Sequence, residues 1–278
     1  MTAVLADELS AAATSLRDSD IESPQLDAQL LMAHALQCSR LDLISHPKRL
    51  LTPEQVDLFR TFTAKRAQRY PLAYIIGTKE FYGLTFNVTP AVLIPRPETE
   101  ILVEECIKRT PDTASIADIG TGSGAIAVAL AVNKPKCAIR AVDISHDALA
   151  VAESNIRRHS VEKRVNIVHG DLLGPLYQAG QEYDAIVSNP PYIPASVIDT
   201  LGPEVLCEPA GALDGGIDGL DVIRVLFSQA LDLTGLLMVE IGIGQAGDVF
   251  RIALDKGWKE TSFVRDLAGI ERVAVARR

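Results

Sequence analysis

From about residue 114 onward the chain alternates short apolar, strand-like runs with helical patterns, a rhythm that few folds accommodate. Residues 114–119, 138–142, 165–168, 184–187 and 236–241 read as strands; 125–132, 147–158, 220–233 and 245–256 read as helices. Parallel strands need a long crossover, which such helices supply, so the expected body is α/β with a mostly parallel sheet wound on both faces. Two last strands, near 260–265 and 271–276, have only about five residues between them. That is too short for a parallel crossover, and the last strand should run antiparallel.

The first 75 or so residues of the 278 read differently. Ser23-Pro24 and Thr52-Pro53 each place an N-cap residue before a proline at the first helical position. Gln55 completes a capping box with Thr52. Leu26, Leu30, Leu31 and Leu36, then Val56, Phe59 and Phe62, follow at helical spacing. Between this bundle and the α/β body, two β-prone runs at 81–88 and 91–94, around Gly83 and Pro90, suggest a hairpin. The division expected is a helical bundle at 1–75, a hairpin linker at 76–95 and an α/β domain at 96–278.

Net charge is −9, and eight basic against nine acidic residues through position 75 leave −8 of it to the remainder. An acidic body argues against a broad nucleic-acid surface. The four cysteines form no C-x-x-C pair and are expected as buried free thiols, and the five histidines lack metal-ligand spacing, so no metal is expected. No apolar run approaches the roughly 20 residues of a membrane span. Nor does the N-terminus resemble a signal peptide, and a soluble cytoplasmic protein is expected.

Asp118-Ile119-Gly120-Thr121-Gly122-Ser123-Gly124-Ala125 closes the first strand of the body. Alternating glycines let the backbone turn sharply and approach a ligand just before a helix N-terminus. Two ligands fit: a dinucleotide, through G-x-G-x-x-A, or S-adenosylmethionine, through G-x-G-x-G. Asp143, at the end of the second strand, suits the ribose hydroxyls of either. Asp171, followed by Leu172 after the third strand, suits an adenine amino group. This cradle is acidic, which favours a sulfonium cation over a pyrophosphate.

Ser188-Asn189-Pro190-Pro191-Tyr192 follows the fourth strand. The prolines make a rigid, non-helical loop at the carboxyl edge of the sheet, where ligands bind in wound α/β folds. A planar NH₂ group is a poor nucleophile because its lone pair is delocalised. The Asn189 side-chain oxygen and the Pro190 carbonyl can each accept one of its N–H bonds and aim the lone pair at an electrophilic methyl. Tyr192 can stack on the planar group. A dehydrogenase has no use for such a loop, which selects S-adenosylmethionine. The loop, the glycine motif and Asp143 resemble N-methyltransferases of planar NH₂ groups, whose targets include DNA adenine, ribosomal-RNA guanine and protein glutamine.

Leu93-Ile94-Pro95-Arg96-Pro97-Glu98-Thr99-Glu100, preceded by Gly77-Thr78-Lys79-Glu80-Phe81-Tyr82-Gly83, closely resembles the HemK/PrmC family of release factor glutamine methyltransferases, as does Glu208-Pro209 with Ala212-Leu213. The resemblance spans nearly the whole chain. It implies a Rossmann-like class I methyltransferase domain behind a helical bundle that recognises the release factor. It implies methyl transfer from S-adenosylmethionine to the side-chain nitrogen (N5) of the Gly-Gly-Gln glutamine of class 1 peptide chain release factors. The alternative is an exocyclic amine of DNA or rRNA. Carried over, Gly120, Thr121, Gly122, Ser123 and Gly124 would hold the methionine part of the cofactor. Asp143 would hold its ribose, and Asp171 and Leu172 would flank its adenine. Asn189, Pro190, Pro191 and Tyr192 would grip the glutamine amide, with Arg96 and Glu98 lining the cleft. A monomer that binds no nucleic acid and no membrane is expected.

Overall fold

The structure, a computed structural model, describes residues 3–278. The chain forms two compact units. One takes in the chain up to Gly77 together with Gly202–Cys207; the other comprises Thr78–Leu201 and Glu208–Arg278.

The first unit contains β1 (Ala3–Val4), α1 (Leu5–Arg17), α2 (Pro24–Leu36), α3 (Arg40–Ser45), β2 (Leu50–Leu51), α4 (Pro53–Ala67) and α5 (Leu72–Ile76). Thr52 caps α4 as its sequence predicts: Gln55 N donates to Thr52 Oγ1 at 3.3 Å and Thr52 N to Gln55 Oε1 at 3.1 Å. Ser23 occupies the N-cap of α2 but its side chain makes no capping bond. A second capping box, Ser39 with Asp42, starts α3. Leu5, Leu16, Leu31, Met32 and Phe59 fill the core. Residues 202–207 belong here because Glu204 accepts from two arginines of this unit, Arg66 at 3.1 Å and Arg69 at 2.8 Å.

The second unit opens with the hairpin β3 (Thr78–Phe81) and β4 (Leu84–Asn87), then α6 (Glu100–Arg109), β5 (Ser115–Ile119), α7 (Ala125–Asn133), β6 (Ala138–Asp143), α8 (His146–Arg158), β7 (Val165–His169), α9 (Gly174–Ala179) and β8 (Ala185–Ser188). After the short α10 (Ala195–Ile198), and α11 (Pro203–Leu206) of the first unit, come α12 (Asp221–Ala230), β9 (Leu236–Glu240), α13 (Ala246–Lys256), β10 (Glu260–Arg265) and β11 (Glu271–Arg277).

The hairpin turns at Tyr82-Gly83, both at positive φ, as a two-residue turn between twisted strands requires. Only one of the two β-prone runs makes it. Residues 91–94 lie outside any strand; Val92 and Ile94 are buried instead, and Val92 and Leu93 line a cavity. The hairpin is packed on α8: Phe86 lies 5.2 Å from the His159 ring, and Asn87 N donates to Asn155 Oδ1 at 2.7 Å.

The seven strands of the sheet run β10-β11-β9-β8-β5-β6-β7. Neighbours from β9 to β7 are parallel, and β11 is antiparallel to both β9 and β10. The short Asp266–Ile270 connection permits nothing else. Helix α7 is apolar all round because it is covered all round: Ala125 to Ala131 are buried without exception. Two of the four free cysteines, Cys106 and Cys137, are buried as expected, whereas Cys38 and Cys207 are only half-buried. Burial pushes the Cys106 thiol up to about 12, so it stays protonated.

Candidate functional site

Strand order reverses at β5, which has β8 on one side and β6 on the other. In wound sheets such a reversal opens a crevice at the carboxyl ends of the strands. Here it holds a cavity of about 320 Å³, lined by the segments that leave β5, β6, β7 and β8.

The glycine loop leaves β5 with Gly120, Gly122 and Gly124 at φ of +71°, +54° and +78°. Three such positions in five residues exclude most side chains. Gly120 N and Thr121 N donate to Val142 O at 2.9 and 3.0 Å, and Gly122 N donates to Asp143 Oδ2 at 2.8 Å. Asp143 Oδ1 accepts from Ser145 N at 2.9 Å. This carboxylate therefore ties two loops together while retaining unused lone pairs beside the cavity. Behind the loop, Asp118 is fully buried; its Oδ2 accepts from Thr121 Oγ1 at 2.6 Å and Ala127 N at 3.2 Å, and its Oδ1 has no partner. Burial raises its pKa to about 7.

Gly124 caps α7, and a Cβ there would come within 3.2 Å of the Ala152 Cβ on α8. Its task is close helix packing, and it is not among the cavity-lining residues. Gly124→Ala should cost about 1–2 kcal/mol from its left-handed backbone alone, with the Ala152 contact adding to it, read as a lower midpoint of urea unfolding.

Asn189 follows β8 directly. Ser188 Oγ donates to Ile119 O at 2.7 Å, tying the end of β8 to β5. Asn189 Nδ2 donates to Thr99 Oγ1 at 3.1 Å, an arrangement that leaves its Oδ1 for a ligand. Asn189 and Pro191 line the cavity; Pro190 is buried and does not. Tyr192 sits differently from the stacking expectation. Its ring packs against the core cluster beneath α12, and its hydroxyl donates to Glu240 Oε1 at 3.3 Å. Burial first, and the Glu240 carboxylate second, push the tyrosine hydroxyl pKa well up.

Arg96 lines the cavity and is paired with Glu208 at 2.6 Å, while Ile94 N donates to the other oxygen of that carboxylate at 3.3 Å. Burial raises the Glu208 pKa, and the Arg96 charge opposes the rise. Arg96 is the only basic residue among the lining residues described, and its charge is already matched. Asp143 and Asp171 are the acidic ones. Leu172, held at φ +46°, supplies an aliphatic wall.

Gly120, Thr121, Gly122 and Ser123 thus meet Asp143, Asp171, Leu172, Asn189, Pro191 and Arg96 around one cavity. Glu98, Gly124, Pro190 and Tyr192 stand outside its lining. Glu98 is on a 3₁₀ turn, Pro97–Thr99, whose next residue, Thr99, turns inward in its place. Thr99 and Glu240 escaped the sequence reading. Thr99 had a signal, its place in Pro-Arg-Pro-Glu-Thr-Glu; Glu240 had none beyond ending an apolar strand.

A cavity lined by two carboxylates, with the one basic residue among the lining residues described already paired, suits a positively charged nucleoside better than a pyrophosphate. The Asn189 oxygen beside it suits an NH₂ donor.

Comparison with known proteins gives the same direction. Residues 7–77 match the family model described as PrmC N-terminal domain, and residues 97–216 match the one described as methyltransferase small domain. The chain is 44% identical over 266 residues to the release factor glutamine methyltransferase of Geobacter sulfurreducens, covering 94% of this chain and 92% of that one. It is 41% identical over 276 residues to the enzyme of the same name from Moorella thermoacetica, covering 97% of each. Among solved structures, a methyltransferase from Pyrococcus furiosus superposes with a TM-score of 0.55 at 17% identity, covering 77% of this chain and 98% of that one. That last likeness speaks for the fold alone.

Proposed function

The chain belongs to the release factor glutamine methyltransferase family, and from that premise we propose that it methylates the side-chain nitrogen (N5) of the Gly-Gly-Gln glutamine of class 1 release factors. The observation that carries this reading is the Asn189 amide, anchored by Nδ2 on Thr99 at the rim of a cavity that has no unpaired basic residue among those described.

S-adenosylmethionine fits the residues present and supplies, when bound, a methyl group activated by its sulfonium. Gly120, Thr121, Gly122 and Ser123 would hold its methionine part, Asp143 would accept from its ribose hydroxyls, and Asp171 with Leu172 would flank its adenine, with Gly124 shaping the loop from behind. The buried Asp118 braces the glycine loop by accepting from Thr121 Oγ1 and Ala127 N.

Asn189 Oδ1 and the Pro190 carbonyl accept the two N–H bonds of the glutamine amide and fix its plane. Held so, the amide nitrogen would take the methyl group that the bound cofactor supplies, leaving S-adenosylhomocysteine, and one of its two N–H protons would then pass to water. Acceptor dipoles facing the NH₂ group favour the charge that develops on nitrogen, so positioning and electrostatics carry the rate. Pro191 and Arg96 close the cavity beside the amide, with Arg96 held by Glu208.

The first unit recognises the release factor, and the second carries out the methyl transfer. The protein acts as a monomer in the cytoplasm on a protein, not on nucleic acid. Among the described residues, no helix is long and apolar enough to cross a membrane.

Radiolabelled S-adenosylmethionine and purified chain should label a class 1 release factor and leave unlabelled a copy whose Gly-Gly-Gln glutamine is alanine. Equal labelling of both would refute the assignment, and incorporation into DNA or RNA instead would favour the exocyclic-amine alternative.

A further inference from the structure

The Asn189–Tyr192 loop is poorly equipped to hold itself. Pro190 and Pro191 have no N–H to donate, and the Pro190 carbonyl has to stay open for the substrate amide. The entry of the loop is tied by Ser188 Oγ to Ile119 O at 2.7 Å and by Asn189 Nδ2 to Thr99 Oγ1 at 3.1 Å. Its exit is held by a side chain from the end of another strand. Gln245, the residue before α13, donates through Nε2 to Tyr192 O at 3.0 Å and to Gly219 O at 3.2 Å, and its Oε1 accepts from Gly242 N at 2.7 Å.

One amide thereby joins three segments: the loop after β8, the turn after β9 and the approach to α12. The bond from Gly242 N decides which way the amide faces, and both Nε2 protons are then committed to carbonyls. Glutamate would match this shape and lose both donors; leucine would lose all three bonds.

The space around the Tyr192 carbonyl is closed. A Cβ on Gly219 would lie 2.4 Å from Tyr192 O and 2.9 Å from Gln245 Nε2, and one on Gly242 would lie 3.2 Å from Tyr192 Cδ2. Beyond Tyr192 the chain pairs with residues 213–216: Ile193 N donates to Leu213 O at 3.0 Å, Gly215 N to Ile193 O at 2.9 Å and Ala195 N to Gly216 O at 2.8 Å. Gln245, Gly219 and Gly242 are not among the cavity-lining residues, so they reach the reaction through the loop. Two peptide units separate the Tyr192 carbonyl from the Pro190 carbonyl, and the Pro191 ring fixes one of the few torsions between them. A displacement of one is therefore passed to the other.

We propose that Gln245 is a positioning residue that sets the aim of the Asn189 and Pro190 acceptors by fixing the Tyr192 carbonyl, with Gly219 keeping the place of that bond clear. The proposal rests on this loop gripping the substrate amide, as in the proposed function.

The test uses the full chain with a class 1 release factor, measuring kcat, KM, S-adenosylmethionine affinity by calorimetry, and urea unfolding. Gln245→Leu and Gly219→Ala disturb the same contact from opposite sides. Each should lower kcat about tenfold or more, with a smaller change in KM and cofactor affinity within about twofold. Because both act on one carbonyl, the double variant should lose little beyond the worse single one. Gly244→Ala is the control. Gly244 has the same left-handed backbone, at φ +82°, and nothing near its Cβ position. Its alanine variant should unfold at lower urea yet keep kcat within about twofold.

The proposal is overturned if Gln245→Leu keeps the parent kcat, if Gly244→Ala lowers kcat as much as Gly219→Ala, or if the two losses multiply in the double variant. Should Gln245→Leu not fold, Gln245→Glu takes its place with the same expected loss, since it keeps the bond from Gly242 N and turns a carboxylate toward two carbonyls. A fully active Asn189→Ala would instead overturn the underlying assignment of the loop.

Discussion

Asn189→Ala should lower kcat on the release factor by about 10²–10³-fold while leaving S-adenosylmethionine affinity within a few-fold, the magnitude typical of removing one preorganised polar group from a transition state. The alanine deletes the oxygen that accepts one substrate N–H and the Nδ2 that fixes the loop to Thr99. It removes no side chain from the glycine loop or from the Asp143 ties. Stopped single-turnover assays with saturating cofactor separate the two effects. A kcat loss with unchanged cofactor binding supports the acceptor role; loss of cofactor binding with normal turnover at saturation places Asn189 in the cofactor pocket instead. Asn189→Asp is a sharper variant, since it keeps the shape and the acceptor but loses the donor to Thr99 and adds charge beside a cationic cofactor. It should bind cofactor at least as well as the parent and still turn over slowly.

The second large effect belongs to Asp143. Its two oxygens already accept from Gly122 N at 2.8 Å and Ser145 N at 2.9 Å, so it shapes the loop before any ligand arrives. Asp143→Asn leaves one acceptor oxygen and turns an NH₂ group toward a backbone N–H. One of the two ties must break, and one ribose hydroxyl loses its acceptor. With hydrogen bonds to charged groups worth about 1.5–3 kcal/mol each, cofactor affinity should fall by about 10–100-fold, read by calorimetry, whereas kcat at saturating cofactor should change far less. An unchanged dissociation constant would move the ribose site away from Asp143.

The two residues differ in how legible they were. Asp143 could be placed from sequence because its job is local to a strand end, the spacing from the glycine loop is fixed by one helix and one strand, and the β5–β6 register then puts Ile119 opposite Val142. The antiparallel last strand followed from a connection too short to cross over. Glu240 could not be placed so. Nothing near it distinguishes it from a strand-ending surface acid, and its partnership with the Tyr192 hydroxyl arises only when β9 lies beside β8. The same limit hid the membership of 202–207 in the first unit. Glu204 is paired with Arg66 and Arg69, more than 130 positions away in the chain, and neither arginine stands in a local pattern that calls for an acid. Residues 91–94 mislead for a simpler reason: Val92 and Leu93 line a cavity, Ile94 is buried, and no neighbouring strand takes them up. Tyr192 shows how far residue type alone carries. Aromaticity suggested a stacking surface, whereas a buried hydroxyl seeks a partner and finds it in Glu240.

Whether the Asn189 loop directs a methyl group onto one amide nitrogen can be read from the product itself. Fragmentation mass spectrometry of a class 1 release factor, treated with the chain and S-adenosylmethionine, tests it most directly. A single added methyl is expected on the side-chain nitrogen of the Gly-Gly-Gln glutamine, present with the parent chain and greatly reduced with Asn189→Ala at equal cofactor occupancy. A methyl on any other residue, or equal modification by the Asn189→Ala variant, would contradict it.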